Sequence, residues 1–162
     1  MKNIIIVDEI FSNNDLNHLK MLIGDSNLDL KFYLKDESHC YKYYVDNLIG
    51  LACNYFNLKK YIGYELWTRN NIEKVDWHYD KDESLFNKEN KLSFPILSMV
   101  FYVSVKNLKG GRLHISDDLV VKPKENRLVL FPQGIKHCTS IYTGQRNSFL
   151  INPWDKVPNS YL

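Results

Sequence analysis

His78 and Asp80 stand two residues apart in the run "VDWHYDKDE", with Trp77 and Tyr79 beside them. An imidazole nitrogen and a carboxylate oxygen are ligands for a divalent transition metal. In an extended strand, residues i and i+2 leave the same face, so these two side chains project together while Trp77 and Tyr79 point away. Such a pair is part of a facial site of two histidines and one carboxylate, which holds iron and leaves adjacent positions open. Alone it has a plain alternative, two polar residues at a strand edge, because so short a motif recurs by chance.

The third ligand must come from elsewhere, and the chain has five histidines. His18 falls in a helical pattern, where a solvated side chain is the simpler account. His39 lies in the turn "KDESHC", which suits a capping or surface role, and His114 in "GRLHIS" reads as a structural strand residue. His137 differs. It follows "NRLVLFPQGIK", a buried-looking strand closed by a Pro/Gly turn, and so begins the next strand where active-site residues often emerge. Nine residues later comes Arg146, with Ser148 two further along the same strand face. A guanidinium pairs a carboxylate through two parallel N–H bonds, and a neighbouring hydroxyl adds another donor. An isolated R-x-S would be an edge-strand arginine; behind H-x-D and His137 it completes a more specific ordered set.

Something must position these residues. The 162 residues fit a single domain spanning 1–162, with an ordinary 44% hydrophobic and 25% charged composition. Aromatic residues make up 14%, led by eleven tyrosines, which favours strands and pocket walls. A net charge of +2, with no Lys/Arg block, does not support nucleic acid as a partner. Cys40, Cys53 and Cys138 are odd in number and lack a C-x-x-C, which argues against a disulfide framework and a thiolate zinc site. The apolar run at the start is broken by Asp8 and Glu9, too early for a signal peptide, and no later segment approaches a membrane span. The expected location is the cytoplasm, with no membrane partner.

"NIIIVDEIF" reads as a short strand turning into a helix capped by Ser12, with Leu16, Leu19 and Ile23 on one face and Gly24 at its end. "YKYYVDNLIGLACNYF" has the spacing of a second amphipathic helix. From about Tyr61 the texture changes to eight short β-branched and aromatic runs, from "YIGYELWTRN" to "QRNSFLINPW". The pattern predicts a mainly β (α+β) fold. It would be a double-stranded β-helix, or jelly roll, of about eight strands, with two N-terminal helices (within 12–57) packed on one sheet and a core over 61–154. The polar segment "KDESLFNKENKLSFP" reads equally as a lid and as a solvated excursion. Trp67 and Thr68 are candidates for a pocket wall, with core an equal reading for Trp67. Asp82 and Glu83, just past the ligands, are candidates for substrate contact but read first as a solvated acidic loop, and Cys138 reads as structural.

The set His78, Asp80, His137, Arg146 and Ser148 resembles the iron(II)- and 2-oxoglutarate-dependent dioxygenases, and within them the small prolyl 4-hydroxylase-like branch, from about Tyr64 to Trp154. "VFYVS" is similar to the strand whose tyrosine, here Tyr102, bonds the far carboxylate of 2-oxoglutarate. "LKGGRLHI" looks like the family's Gly-Gly hairpin, with Gly110 and Gly111 in the turn, and "NRLVLFP" like the lead-in to the last iron ligand. Two features depart. Arg112-Leu113 stands where collagen-type prolyl hydroxylases carry an acid and a threonine, and Arg146 where they carry lysine. Both weigh against a prolyl peptide as the sole substrate reading.

The resemblance implies that His78, Asp80 and His137 hold iron(II), and that Arg146, Ser148 and Tyr102 bind 2-oxoglutarate. Dioxygen is the second cosubstrate and ascorbate a candidate reductant. The implied reaction hydroxylates a C–H bond with release of succinate and CO2, on a prolyl or other residue of a peptide or protein, or on a small molecule. Two rivals stand beside it: a 2-oxoglutarate dioxygenase of nucleic-acid bases, and a non-catalytic metal-binding jelly roll. Neither the substrate nor the oligomeric state follows from these residues.

Overall fold

The computed structural model describes residues 3–24, 27–70, 74–116 and 119–162. Strand β1 (Ile5–Asp8) leads into helix α1 (Asn13–Ile23), where the Ser12 hydroxyl accepts from the Asp15 N–H at 3.2 Å. Gly24, at φ 63°, ends the helix and donates its N–H to the Lys20 carbonyl. Next come β2 (Lys31–Leu34) and α2 (Lys42–Ala52). The strands that carry the site follow: β3 (Gly63–Asn70), β4 (Val75–His78), a short α3 (Glu83–Glu89), and the long β5 (Leu97–Gly110). The chain continues through β6 (Leu113–Ile115), β7 (Leu119–Val121), β8 (Arg127–Pro132), β9 (His137–Thr139) and β10 (Tyr142–Trp154), and finishes in a 3-10 turn, Asn159–Tyr161.

These strands form two antiparallel sheets, a larger one in the order β1-β8-β5-β10-β3-β2 and a smaller one in the order β4-β9-β6-β7. The larger sheet is covered on both faces, and the alternation along β5 shows how. Leu97, Met99, Phe101 and Val103 join Leu16, Leu19 and Ile23 of α1 and Val45, Leu48 and Ile49 of α2 in one buried cluster. Val100 and Tyr102 join Leu113, Ile115 and Val121 of the smaller sheet in a second. A strand buried on both sides loses its polar alternation, which is why "LSMVFYV" is almost uninterruptedly apolar.

Among the described residues there are ten strands, one more than the first strand and the eight later runs expected, and three α-helices rather than two. The unforeseen strand, β2, is four residues long with a lysine at its start, too short for periodicity to reveal it; it is held by pairing with β3. The polar segment after Asp80 contains α3, whose N-cap is Asp82: its carboxylate accepts from the Leu85 N–H at 3.1 Å. Asp82 is 1% exposed, so the reading of it as a solvated loop residue is corrected. Gly110 and Gly111, at φ 84° and 66°, do not close a hairpin of paired strands; β5 and β6 belong to different sheets, and the two glycines turn the corner between them. A Cβ on Gly110 would lie 2.3 Å from the Ile141 carbonyl oxygen, so the corner needs glycine for space as well as for φ. No described helix is long and apolar enough to cross a membrane.

Candidate active site

Pairing between β4 and β9 sets His78 directly opposite His137, and directly opposed residues of an antiparallel pair share a face. Their ring centroids are 4.2 Å apart. Each imidazole is oriented through its other nitrogen: His78 Nδ1 donates to the Asp76 carbonyl at 2.8 Å, and His137 Nδ1 to the Ile135 carbonyl at 3.1 Å. A carbonyl only accepts, so both protons sit on Nδ1 and both Nε2 lone pairs remain for a metal. Burial lowers the His137 pKa, against an upward pull from Asp80 and with a further downward push from His78, and this favours the neutral, ligating imidazole.

Asp80 arrives differently from the strand expectation. β4 ends at His78, so Asp80 lies beyond it and strand alternation does not aim it. Its direction comes from the larger sheet, where the Ser98 hydroxyl of β5 donates to Oδ2. The other oxygen, Oδ1, then stands 3.8 Å from His78 Nε2 and 3.7 Å from His137 Nε2. Those separations are too long for direct hydrogen bonds and leave room for a cation between the three. All three ligand atoms lie within 4.8 Å of one another. The donor set, two imidazoles and one carboxylate with both imidazole protons committed elsewhere, fits iron(II).

The opposite wall of the same cavity, about 250 Å³ in volume, is the inner face of β10 with its two neighbours. Successive same-face residues of β10 are Arg146, Ser148, Leu150 and Asn152. Ser148 is level with Tyr102 of β5 and Arg69 of β3, Leu150 with Val100 and Trp67, and Asn152 with Glu65. The Arg146 side chain is 3% exposed. Its Nη1 donates to the Gly111 carbonyl at 3.0 Å, and the guanidinium lies 4.7 Å over the Tyr142 ring. Its Nε–H has no hydrogen-bond partner among the described residues. A buried guanidinium with an unused donor costs free energy unless an anion meets it, so this end of the cavity fits a carboxylate. Burial pushes the Tyr102 hydroxyl up to about 12, with Arg146 and Arg127 pulling it partly back. At neutral pH it is therefore a hydrogen-bond donor and not a phenolate.

The sequence matches the 2OG-Fe(II) oxygenase superfamily over residues 64–154. The chain belongs to that family. It is accordingly a 2-oxoglutarate-dependent dioxygenase, with iron(II), 2-oxoglutarate and dioxygen as its cofactor and cosubstrates. Solved structures share the fold at low identity. A Pseudomonas putida prolyl-4-hydroxylase superposes with a TM-score of 0.69 at 14% identity, covering 96% of this chain and 94% of that one. A viral collagen prolyl hydroxylase from Paramecium Bursaria Chlorella virus-1, in its 2-oxoglutarate complex, gives 0.60 at 13%, over 93% and 96%. A Trichoplax adhaerens prolyl hydroxylase, in complex with a hypoxia inducible factor oxygen degradation domain peptide fragment, gives 0.59 at 13%, over 95% and 84%. No curated protein matches the sequence.

In this oxygenase Trp67 lines the cavity, whereas Thr68 does not. Alternation along β3 turns Thr68 to the other face, where its hydroxyl accepts from the Leu28 N–H at 2.7 Å; its assignment to the pocket wall is corrected. Lys81 and Glu83, paired at 2.7 Å, lie at the cavity edge. His18 and His39 stay outside, bonded to the hydroxyls of Tyr44 and Tyr64, each at 2.7 Å. His114 meets the Trp77 ring edge-on. Polar cavity residues that escaped the sequence reading include Arg69 and Glu65 with its neighbour Asn152, and Ser98, which holds Asp80, escaped it as well. Strand parity carried the signal, since Ser98 is in phase with Tyr102 and Glu65 with Trp67, each a polar residue inside an apolar run.

Proposed function

We propose that this dioxygenase is a hydroxylase whose iron(II) is held by His78 Nε2, Asp80 Oδ1 and His137 Nε2. Arg146, Ser148 and Tyr102 receive the remote carboxylate of 2-oxoglutarate. One observation carries the reading: a single cavity has the three ligand atoms, within 4.8 Å of one another, on one wall and a buried guanidinium with an open donor on the other. Iron with its cosubstrates supplies the oxidising power for C–H hydroxylation, releasing succinate and CO2.

The chain's own residues do the rest. Asp76 and Ile135 carbonyls hold the imidazoles in the ligating tautomer, and Ser98 turns Asp80. Arg146 neutralises a carboxylate inside a buried cavity, and the Tyr102 hydroxyl and Ser148 supply donors of fixed direction. Between the two ends, the apolar row of Trp67, Leu150 and Val100 limits water around the reacting centre. An amino-acid unit, free or within a peptide, is the substrate reading supported by the prolyl hydroxylases that share the fold. The Arg112-Leu113 departure keeps it from being confined to prolyl peptides.

Anaerobic titration with iron(II), with and without 2-oxoglutarate, tests the assignment through the weak visible charge-transfer band of the chelated cosubstrate. The band is expected with both present and lost in His137→Ala. Iron binding without a band would remove the cosubstrate role of Arg146 and Ser148 and leave a metal-binding jelly roll.

A further inference from the structure

Glu65 is the acid in the cavity wall that the hydroxylase reading leaves without a task. It projects inward from β3, level with Asn152 of β10, and is 7% exposed. Asn152 lies one residue beyond the Ile151–Met99 pair, which brings it level with Ser98, the serine that turns Asp80. Glu65 thus stands at the metal end of the wall. Arg146 is six residues from Asn152 along β10, about 20 Å of extended strand away.

The carboxyl group of Glu65 is held firmly. Oε2 accepts from Trp154 Nε1 at 2.9 Å and Oε1 from the Tyr161 hydroxyl at 3.1 Å. Both donors are neutral, and no cation is paired with Glu65 among the described residues. Arg69, a further cation of the lining, is exposed at the level of Ser148, four residues from Glu65 along β3. Glu83 pairs with Lys81, and Asp80 faces the two histidines. Iron(II) and Arg146 balance Asp80 together with the two carboxylates of 2-oxoglutarate. An ionised Glu65 is a buried carboxylate with no ion-pair partner among the described residues, and such a charge is costly until a cation meets it.

We propose that Glu65 is the substrate-recognition acid of this oxygenase, and that it receives a protonated amine carried by the substrate beside the C–H bond attacked. The proposal rests on the hydroxylase reading above and narrows its substrate class. Burial holds the Glu65 pKa up at about 7; Asp80 adds to the rise, while Trp154, Tyr161 and Asn152 oppose it. The group is therefore poised to give up its proton when a cation arrives. A proline inside a peptide has neither charge nor N–H on its nitrogen and offers Glu65 nothing. An amino-terminal residue or a lysine side chain offers an ammonium group.

The test uses the full chain loaded with iron(II) and 2-oxoglutarate under nitrogen, at about pH 7, where both probe amines are protonated. Loading is followed by the charge-transfer band and binding by calorimetry. The probes are L-prolinamide against N-acetyl-L-prolinamide, and Nα-acetyl-L-lysine methylamide against its Nε-acetyl form. At least one amine is expected to bind about tenfold or more tightly than its acetylated partner. The amine that does so tells an amino-terminal source from a lysyl one. Glu65→Gln, which is isosteric, is expected to bring that preference down to about twofold or less with the band intact. Tyr161→Phe removes one partner of Glu65 but not its charge, and is expected to keep the preference.

Equal binding of amine and acetylated probes, no binding of either amine, or a preference that survives Glu65→Gln would overturn the proposal. So would its loss in Tyr161→Phe, which would reduce Glu65 to an anchor for the C-terminal turn. With the band present these outcomes sink the proposal alone; absence of the band from the wild-type protein sinks the hydroxylase reading and this one with it.

Discussion

A carboxylate gives one oxygen to a metal with a defined direction only when its other oxygen is held, and Ser98 holds Asp80. Removing that hydroxyl in Ser98→Ala is expected to weaken iron(II) binding by about 10–100-fold. Anaerobic titration reads the affinity, and an unchanged circular dichroism spectrum shows that the fold persists. Arg146 governs the other end of the cavity. Arg146→Ala should lower 2-oxoglutarate affinity by about two to three orders of magnitude, since truncating one member of a buried charge pair strands the other. Iron binding should stay near the wild-type value, and equal loss of both would refute the separation of roles. At this scale the sequence singled out His78, Asp80, His137, Arg146 and Ser148 by type and order, and the fold brings all five to one cavity. It was poorly legible for Ser98 and Glu65, because serine and glutamate are common and only their side of the sheet makes them part of the site.

Among the elements, the helices announced themselves through periodic apolar residues and the Ser12 cap, and β3 to β10 fall on the eight aromatic and β-branched runs. The segment after Asp80 did not, because α3 has only seven residues and buries none of them. What holds it is Asp82, which caps α3 and also accepts from the Asn159 N–H and from the Ser160 hydroxyl at 3.1 Å in the C-terminal turn. Burial raises the Asp82 pKa, but the hydrogen bonds from Leu85, Asn159 and Ser160 outweigh it, and the net shift is downward. Its contribution to stability is therefore present above the ordinary aspartate value and lost as pH falls through the folded one. Asp82→Ala is expected to cost about 2 kcal/mol near neutral pH, measured by urea denaturation. Faster hydrogen exchange at the Asn159 amide should accompany it, and unchanged exchange there would argue that the turn is held by other contacts.

For the whole molecule, Glu65 links the cavity to global stability. Its folded pKa is raised from 4.5 to about 7, so it favours the folded state below about pH 4.5. That contribution fades as pH rises and is lost above about 7. The size is about 3 kcal/mol at most, from the shift between the two values. The metal-free protein should therefore lose stability to urea between about pH 5 and 8, and Glu65→Gln should flatten that slope. A slope unchanged by the substitution would mean that Glu65 ionises in the folded chain as it does in the unfolded one.

Residue type and order marked out the groups proposed for the chemistry: H-x-D, a later histidine and an Arg-x-Ser can be read in one dimension because the capacity to ligate a metal or pair a carboxylate belongs to the functional group. Side-chain type made Trp67 and Thr68 equal candidates for the pocket wall; the two-residue period of β3 in the folded sheet sends Trp67 into the cavity and Thr68 to the other face. Tertiary structure decided how those groups meet. The β4–β9 register sets His78 against His137, a hydroxyl from the other sheet turns Asp80, and a carbonyl at the Gly110-Gly111 corner holds Arg146. Each of these contacts joins segments far apart in the chain, and their geometry follows from strand pairing and sheet crossing, which local periodicity does not encode.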